Sequence, residues 1–259
     1  MVLLDFSPYQ LVIIGIIFMW TGFVRTGLGF GGAALGLPLM LFVQNNPLLW
    51  LPIIATHLLF FSALTLANRL HNVDWKYLGK SAIYIIPPAI VGVFGLVNFP
   101  LLWLNTFIYS ITLFYGFIWL LNRGIQSQQG WVDRILLILG GYIAGISLTG
   151  APLMVAVYMR NVDKSKLRDT LFVLWFILVG IKMSTFIALS VDLHFMSAVA
   201  LLPVAAIGHF MGLRAHNLIV RNDLVFKRWI GGGLVIVSIL GLCELYKTVL
   251  IENLASHFS

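Results

Sequence analysis

Arg25, His57 and Lys182 are the side chains of this sequence best placed to do chemistry, because each stands in or beside a long stretch with almost no other charge. A guanidinium offers five fixed donors and keeps its charge at any physiological pH, which suits Arg25 to grip an oxyanion. An imidazole titrates near neutrality, which suits His57 to carry a proton through a cycle. A lone ammonium in an apolar span, as at Lys182, needs a partner, a water-filled cavity or a stem that snorkels to the interface. Each has a plainer alternative. Arg25 reads equally well as an anchor where the first helix reaches the cytoplasmic interface. Lys182 lies about 21 Å along its helix from Arg168 at standard rise, close enough to Ser190 to snorkel outward, and His57 reads also as a hydrogen-bonded core histidine. Asp169, beside Arg168 at a helix start, suits a partner of the helix dipole as well as a coupling carboxylate.

Glycine and proline mark where such groups would meet. The run Gly36-Leu37-Pro38-Leu39-Met40 returns as Gly150-Ala151-Pro152-Leu153-Met154, and Pro87, Gly92 and Phe94 return as Pro203, Gly208 and Phe210. A repeat interrupted by Gly and Pro at matching places points to a secondary transporter with its site where the broken helices meet. Unwound backbone and half-helix N-termini there favour an anion. Gly29, Gly31, Gly32, Gly36 and Pro38 in the first half, with Thr149, Gly150 and Pro152 in the second, are the candidate lining. Pro152 suits the first turn of a helix, where its missing N–H is not needed, and Pro38 is expected at the equivalent place. The competing explanation is packing, since Gly27/Gly31, Gly32/Gly36 and Gly141/Gly145 are small residues spaced by four that let helices approach. Gly27, Gly29 and Gly32 also match the dinucleotide fingerprint formally. That reading fails, because the motif needs a preceding strand and an acidic residue about 20 positions on, where Pro47 stands.

The elements that must position these residues are membrane helices. A chain of 259 residues with 60% hydrophobic and 10% charged residues and a mean hydropathy of +0.99 has too little polar surface for a soluble globule. Of the charge-free runs over 8–24, 26–68, 81–122 and 135–159, several are long enough to hold more than one crossing of about 20 residues, and none shows the short alternating segments of a barrel. Helices are expected near 9–24, 33–44, 48–68, 76–96 and 101–121, then near 131–148, 152–160, 165–190, 194–219 and 223–247. The second element of each half is too short to span, so the chain must break inside the membrane, and the hairpins 9–44 and 131–160 either cross fully or re-enter. The expected fold is an all-α polytopic membrane protein of two inverted repeats, residues 1–124 and 125–259, each a broken-helix hairpin plus three transmembrane helices.

The net charge of +7 is sorted by loop rather than gathered for nucleic acid. Basic residues crowd the turns at 69–80, 123–134, 160–168 and 214–228, whereas those at 44–47, 97–100 and 190–194 have no Lys or Arg. The basic turns are expected to be cytoplasmic, which places both termini outside. Equivalent turns of the two halves then face opposite sides, the signature of inversion about an axis in the membrane plane. No basic region precedes the first apolar stretch, so no cleaved signal is expected. The single cysteine, Cys243, excludes an intrachain disulfide framework.

The glycine-rich stretch 27–40, Thr149-Gly150-Ala151-Pro152-Leu153-Met154, Lys166-Leu167-Arg168-Asp169-Thr170 and the two Pro-then-Gly helices together resemble the TauE/SafE sulfite exporter family of membrane permeases. The resemblance covers about residues 10–245. It implies a secondary carrier, not an enzyme, for small sulfur-containing anions such as sulfite, thiosulfate or organosulfonates, coupled to a proton or sodium gradient, in a bacterial cytoplasmic (inner) membrane, with no cofactor. Homo-oligomerisation is left open. Leu28 and Phe30 interrupt the first glycine cluster and Ala151 replaces a glycine common in that family, so substrate identity does not carry over. Competing classes are a haem or other redox protein ligated by His57 and His209, which lack symmetry-related partners; a retinal protein on Lys182, which lacks an intramembrane counter-ion; and a carrier of small carboxylates. No GxxxxGK[ST] loop for ATP is present.

Overall fold

The computed structural model describes residues 2–28, 32–123, 125, 129–221 and 223–257. Every regular element among them is helical. The α-helices are α1 (Pro8–Leu28), α2 (Gly32–Val43), α3 (Pro47–Leu66), α4 (Trp75–Asn98), α5 (Leu101–Leu120), α6 (Gly130–Ser147), α7 (Ala151–Asn161), α8 (Lys164–Ala188), α9 (Phe195–Arg221) and α10 (Asp223–His257). Eight of them are long and apolar enough to cross a bilayer, α2 and α7 being the short ones. With 12 and 11 residues, these two reach about 18 and 17 Å, little more than half the hydrocarbon thickness. Tyr9, Trp75, Trp103, Trp131 and Phe195 stand exposed near the starts of their helices, the placement that favours amphipathic aromatics at a membrane interface.

Local chemistry sets the ends. Asn46 caps α3 by accepting from the Leu48 amide at 3.0 Å, with Pro47 in the first turn. Asp74 caps α4 by accepting from the Tyr77 amide at 2.9 Å. The chain leaves α6 at Leu148, whose φ of 59° is left-handed, and Pro152 stands in the first turn of α7.

The first break differs from the expectation. Arg25 lies in the last turn of α1, and α2 is already helical from Gly32, so Pro38 sits inside the helix rather than in its first turn. The reason is packing: the small run Gly32–Gly36 lies on α1, where a Cβ on Gly36 would come within 2.1 Å of the Thr21 methyl. That contact holds the segment helical ahead of the proline.

Glycines also set how the long helices pair. α1 packs on α9, α6 on α4, and α5 on α10. A Cβ at Gly208 of α9 would lie 1.8 Å from the Met19 carbonyl oxygen of α1, and one at Gly92 of α4 would lie 2.3 Å from the Tyr142 carbonyl oxygen of α6. Gly145 of α6 meets the Ala89 carbonyl in the same way, so the small-residue spacing in α6 serves close approach. The principal contacts come in matched pairs when α1–α5 are exchanged in order with α6–α10: α1·α9 with α4·α6, α1·α2 with α6·α7, and α3·α9 with α4·α8.

Candidate functional site

The two breaks meet around one cavity. It is a narrow space of about 40 Å³, and receives Arg25 from α1, Gly32 and Ala33 from α2, Leu58 from α3, Ala144 and Leu148 from the end of α6, Ala151 from α7, and Phe172, Trp175, Leu178 and Val179 from α8. A smaller recess shares Arg25, Gly32, Ala33 and Leu58 and adds Phe18, Thr21, Ile54 and His57. Arg25 therefore stands between two spaces.

Arg25 is 5% exposed, and no carboxylate among the described residues pairs with it. Its Cζ lies 4.3 Å from the centre of the Phe61 ring, and Nη2 is buried without a hydrogen-bond partner. Phe61 also stacks with His209, whose ring is 4.8 Å away at 28° and whose Nδ1 is 2.6 Å from the Thr26 hydroxyl. A cation this buried with an unused donor is a costly arrangement, of the kind kept where a ligand completes it. Trp175 also lines the cavity, and its indole Nε1 is buried with no partner.

Lys182 has a different role. It is 1% exposed, and its ammonium donates to the carbonyls of Gly145 and Ile146 in the last turn of α6. There it satisfies carbonyls that the helix end leaves open and opposes the negative end of the dipole. It does not line the cavity. The second half thus spends its buried cation on the break itself, whereas the first half leaves Arg25 free.

His57 is 2% exposed, and its Nε2 is 2.7 Å from the Ala198 carbonyl. A carbonyl only accepts, so Nε2 carries the proton and Nδ1, buried and without a partner, presents a lone pair. Asp169 lies apart from this group, where it accepts from Asn72 Nδ2 at 2.7 Å and faces Arg69 at 3.8 Å, tying the α3–α4 connection to α8. Gly36 packs on Thr21 and Gly150 on the Gly140 carbonyl of α6, neither lining the cavity. Thr149 is buried and bonded to Ser147 at 2.6 Å, Pro152 is buried in α7, and Pro38 accepts from the Tyr109 hydroxyl at 3.5 Å. Gly29 and Gly31 lie outside the described residues.

Trp175 is the one wall residue with a donor that sequence reasoning passes over, because an indole in an apolar run looks like packing. A signal existed. Phe172, Trp175, Leu178 and Val179 precede Lys182 at helical spacing and so share its face of α8.

Eight membrane-length apolar helices make this an integral, multi-pass membrane protein. The sulfite exporter TauE/SafE family profile matches residues 14–241. The chain belongs to the TauE/SafE sulfite exporter family, a family of permeases. Searches of the curated proteins and of the solved structures gave no match.

Proposed function

We propose that this protein is a secondary carrier of small sulfur-containing anions, such as sulfite, thiosulfate or organosulfonates, working by alternating access around the Arg25 cavity. The observation that carries the reading is the buried Arg25 guanidinium with an unpartnered Nη2, in a cavity where the first residues of α2 and α7 and the last turn of α6 converge. An anion entering such a space must replace its hydration, which a guanidinium does with fixed, charged donors. The matched contacts of α1–α5 and α6–α10, with the opposite charge of equivalent loops, support two inverted repeats over 1–124 and 125–259. The loop charge likewise supports cytoplasmic basic turns and extracytoplasmic termini, and family membership supports residence in a bacterial inner membrane. His57 is the coupling candidate, because its free Nδ1 shares a recess with Arg25. A bound anion offsets the repulsion between a protonated imidazole and the guanidinium, which favours moving proton and anion together.

The test is ligand stabilisation of the purified protein. A ligand at 100 times its Kd raises the stability of the native state by about 2.7 kcal/mol. At least one of sulfite, thiosulfate and ethanesulfonate is expected to raise the melting temperature of the native chain more than acetate does, and to leave that of Arg25→Gln unchanged. Equal shifts in both proteins, or none in either, would remove the reading.

A further inference from the structure

A second recess lies apart from the Arg25 cavity, where α4 and α6 begin and α7 ends. Its volume is about 190 Å³, and Lys80 and Tyr84 of α4, Asp133 and Arg134 of α6, and Arg160 and Asn161 of α7 stand on its wall. Asp133 is the one carboxylate there among the described residues, and it already accepts from Arg160 Nη1 at 3.1 Å and from Asn161 Nδ2 at 3.3 Å. Lys80, Arg134 and Arg160 against that carboxylate leave two net positive charges. Lys80 and Arg134 carry them, since both are exposed and neither pairs with a carboxylate among the described residues. The Arg134 Cζ lies 5.8 Å from the centre of the Tyr84 ring, which leans a guanidinium of α6 toward α4.

The surroundings suit an amphiphile. Trp75 and Trp131, both exposed at the starts of α4 and α6, mark the membrane interface at this level. From there both helices run inward. Ile83 stands three residues beyond Lys80 and Ile138 four beyond Arg134, spacings that share a helix face, and they are 72% and 42% exposed. A doubly positive recess thus opens at the edge of an apolar surface that lipid chains cover. A soluble phosphate compound would use the recess alone, whereas a phospholipid uses both, its head at Lys80 and Arg134 and its acyl chains along Ile83 and Ile138. A choline or ethanolamine head would bring its own cation to a positive recess whose carboxylate is engaged. We propose that this recess binds the headgroup of a net-anionic phospholipid from the adjoining leaflet. The site is separate from the Arg25 cavity and stands whether or not that cavity carries the transported anion.

The experiment measures binding of dioleoyl phosphatidylglycerol, dioleoyl phosphatidylcholine and glycerol phosphate to the purified protein in a neutral detergent at fixed ionic strength. A basic residue near the membrane surface is worth about fivefold in affinity for an anionic lipid, so phosphatidylglycerol is expected to bind about 25-fold more tightly than phosphatidylcholine. The double change Lys80→Gln with Arg134→Gln should abolish that preference, and each single change should cost about fivefold, which carries the test should the double variant not fold. Lys80→Arg with Arg134→Lys keeps the charge and should keep the preference. Lys76→Gln with Lys164→Gln removes the same charge from exposed residues of neighbouring basic turns outside the recess and should leave it nearly intact. Equal losses in the two charge-removing pairs would show general surface attraction and overturn the proposal, as would a preference that survives Lys80→Gln with Arg134→Gln. Glycerol phosphate binding as tightly as phosphatidylglycerol would assign the recess to a soluble phosphate compound and overturn the lipid.

Discussion

Two glycine-to-alanine changes of identical chemistry should move stability in opposite directions. A Cβ at Gly208 would stand 1.8 Å from the Met19 carbonyl oxygen, 2.7 Å from its carbon and 3.0 Å from the Phe23 nitrogen, all backbone atoms of α1. Backbone cannot swing aside as a side-chain tip can. Restoring a normal separation of about 3.5 Å therefore requires α9 and α1 to part by about 1.7 Å, and overpacking of this kind costs about 1–3 kcal/mol. At Gly180 of α8 an added Cβ meets nothing within 4 Å, so alanine there gains helix propensity worth about 1 kcal/mol. Thermal or denaturant unfolding of the purified protein in one detergent should place Gly208→Ala below the native chain and Gly180→Ala above it. Because Arg25 lies on α1 shortly after Met19 and Phe23, Gly208→Ala should also weaken Arg25-dependent anion binding, which Gly180→Ala leaves alone. If Gly208→Ala matches Gly180→Ala in stability, the close approach of α1 and α9 is not a constraint and the packing argument is wrong.

Two further outcomes are expected. Thr26→Val keeps the shape but leaves His209 Nδ1 without its 2.6 Å partner, and should cost about 1–3 kcal/mol; unchanged unfolding would show that the imidazole does not depend on that hydroxyl. Cysteines introduced singly at Asn45 and Lys164, with Cys243 changed to serine, should react with an impermeant thiol reagent from opposite sides of the membrane. Reaction from the same side would end the inverted reading of the two halves.

Much of this architecture is legible in the sequence because the membrane imposes lengths. Apolar runs can be divided only into pieces of about 20 residues, so the eight long helices and the two short ones follow from counting, and loop charge orders them. The first break was not legible in detail. The start of α2, expected near 33, falls at Gly32, but Pro38 and Pro152 share a pentapeptide pattern and still take different places, one inside its helix and one in a first turn, a difference that the shared pattern does not encode. The same holds for the two buried cations. Arg25 and Lys182 look alike as isolated charges in apolar runs, and only three-dimensional placement assigns one to a cavity and the other to the carbonyls of α6. α10 runs to His257, beyond the expected end near 247, because charged residues at its end stop an apolar run without stopping a helix.

The glycine contacts between long helices also bear on mechanics. α1 is clasped to α9, α4 to α6, and α5 to α10, where a Cβ at Gly231 would meet the Leu120 amide at 2.5 Å. Every clasp joins a helix from the first half of the sequence to one from the second. Drawing the two sequence halves apart as blocks would undo all three at once, so the order of the chain and the mechanical partition are different divisions of the molecule. A rocking motion that spares the clasps must slip along the looser seams between clasped pairs, and Arg25 would then travel with α9, a helix that lies far from it in the chain.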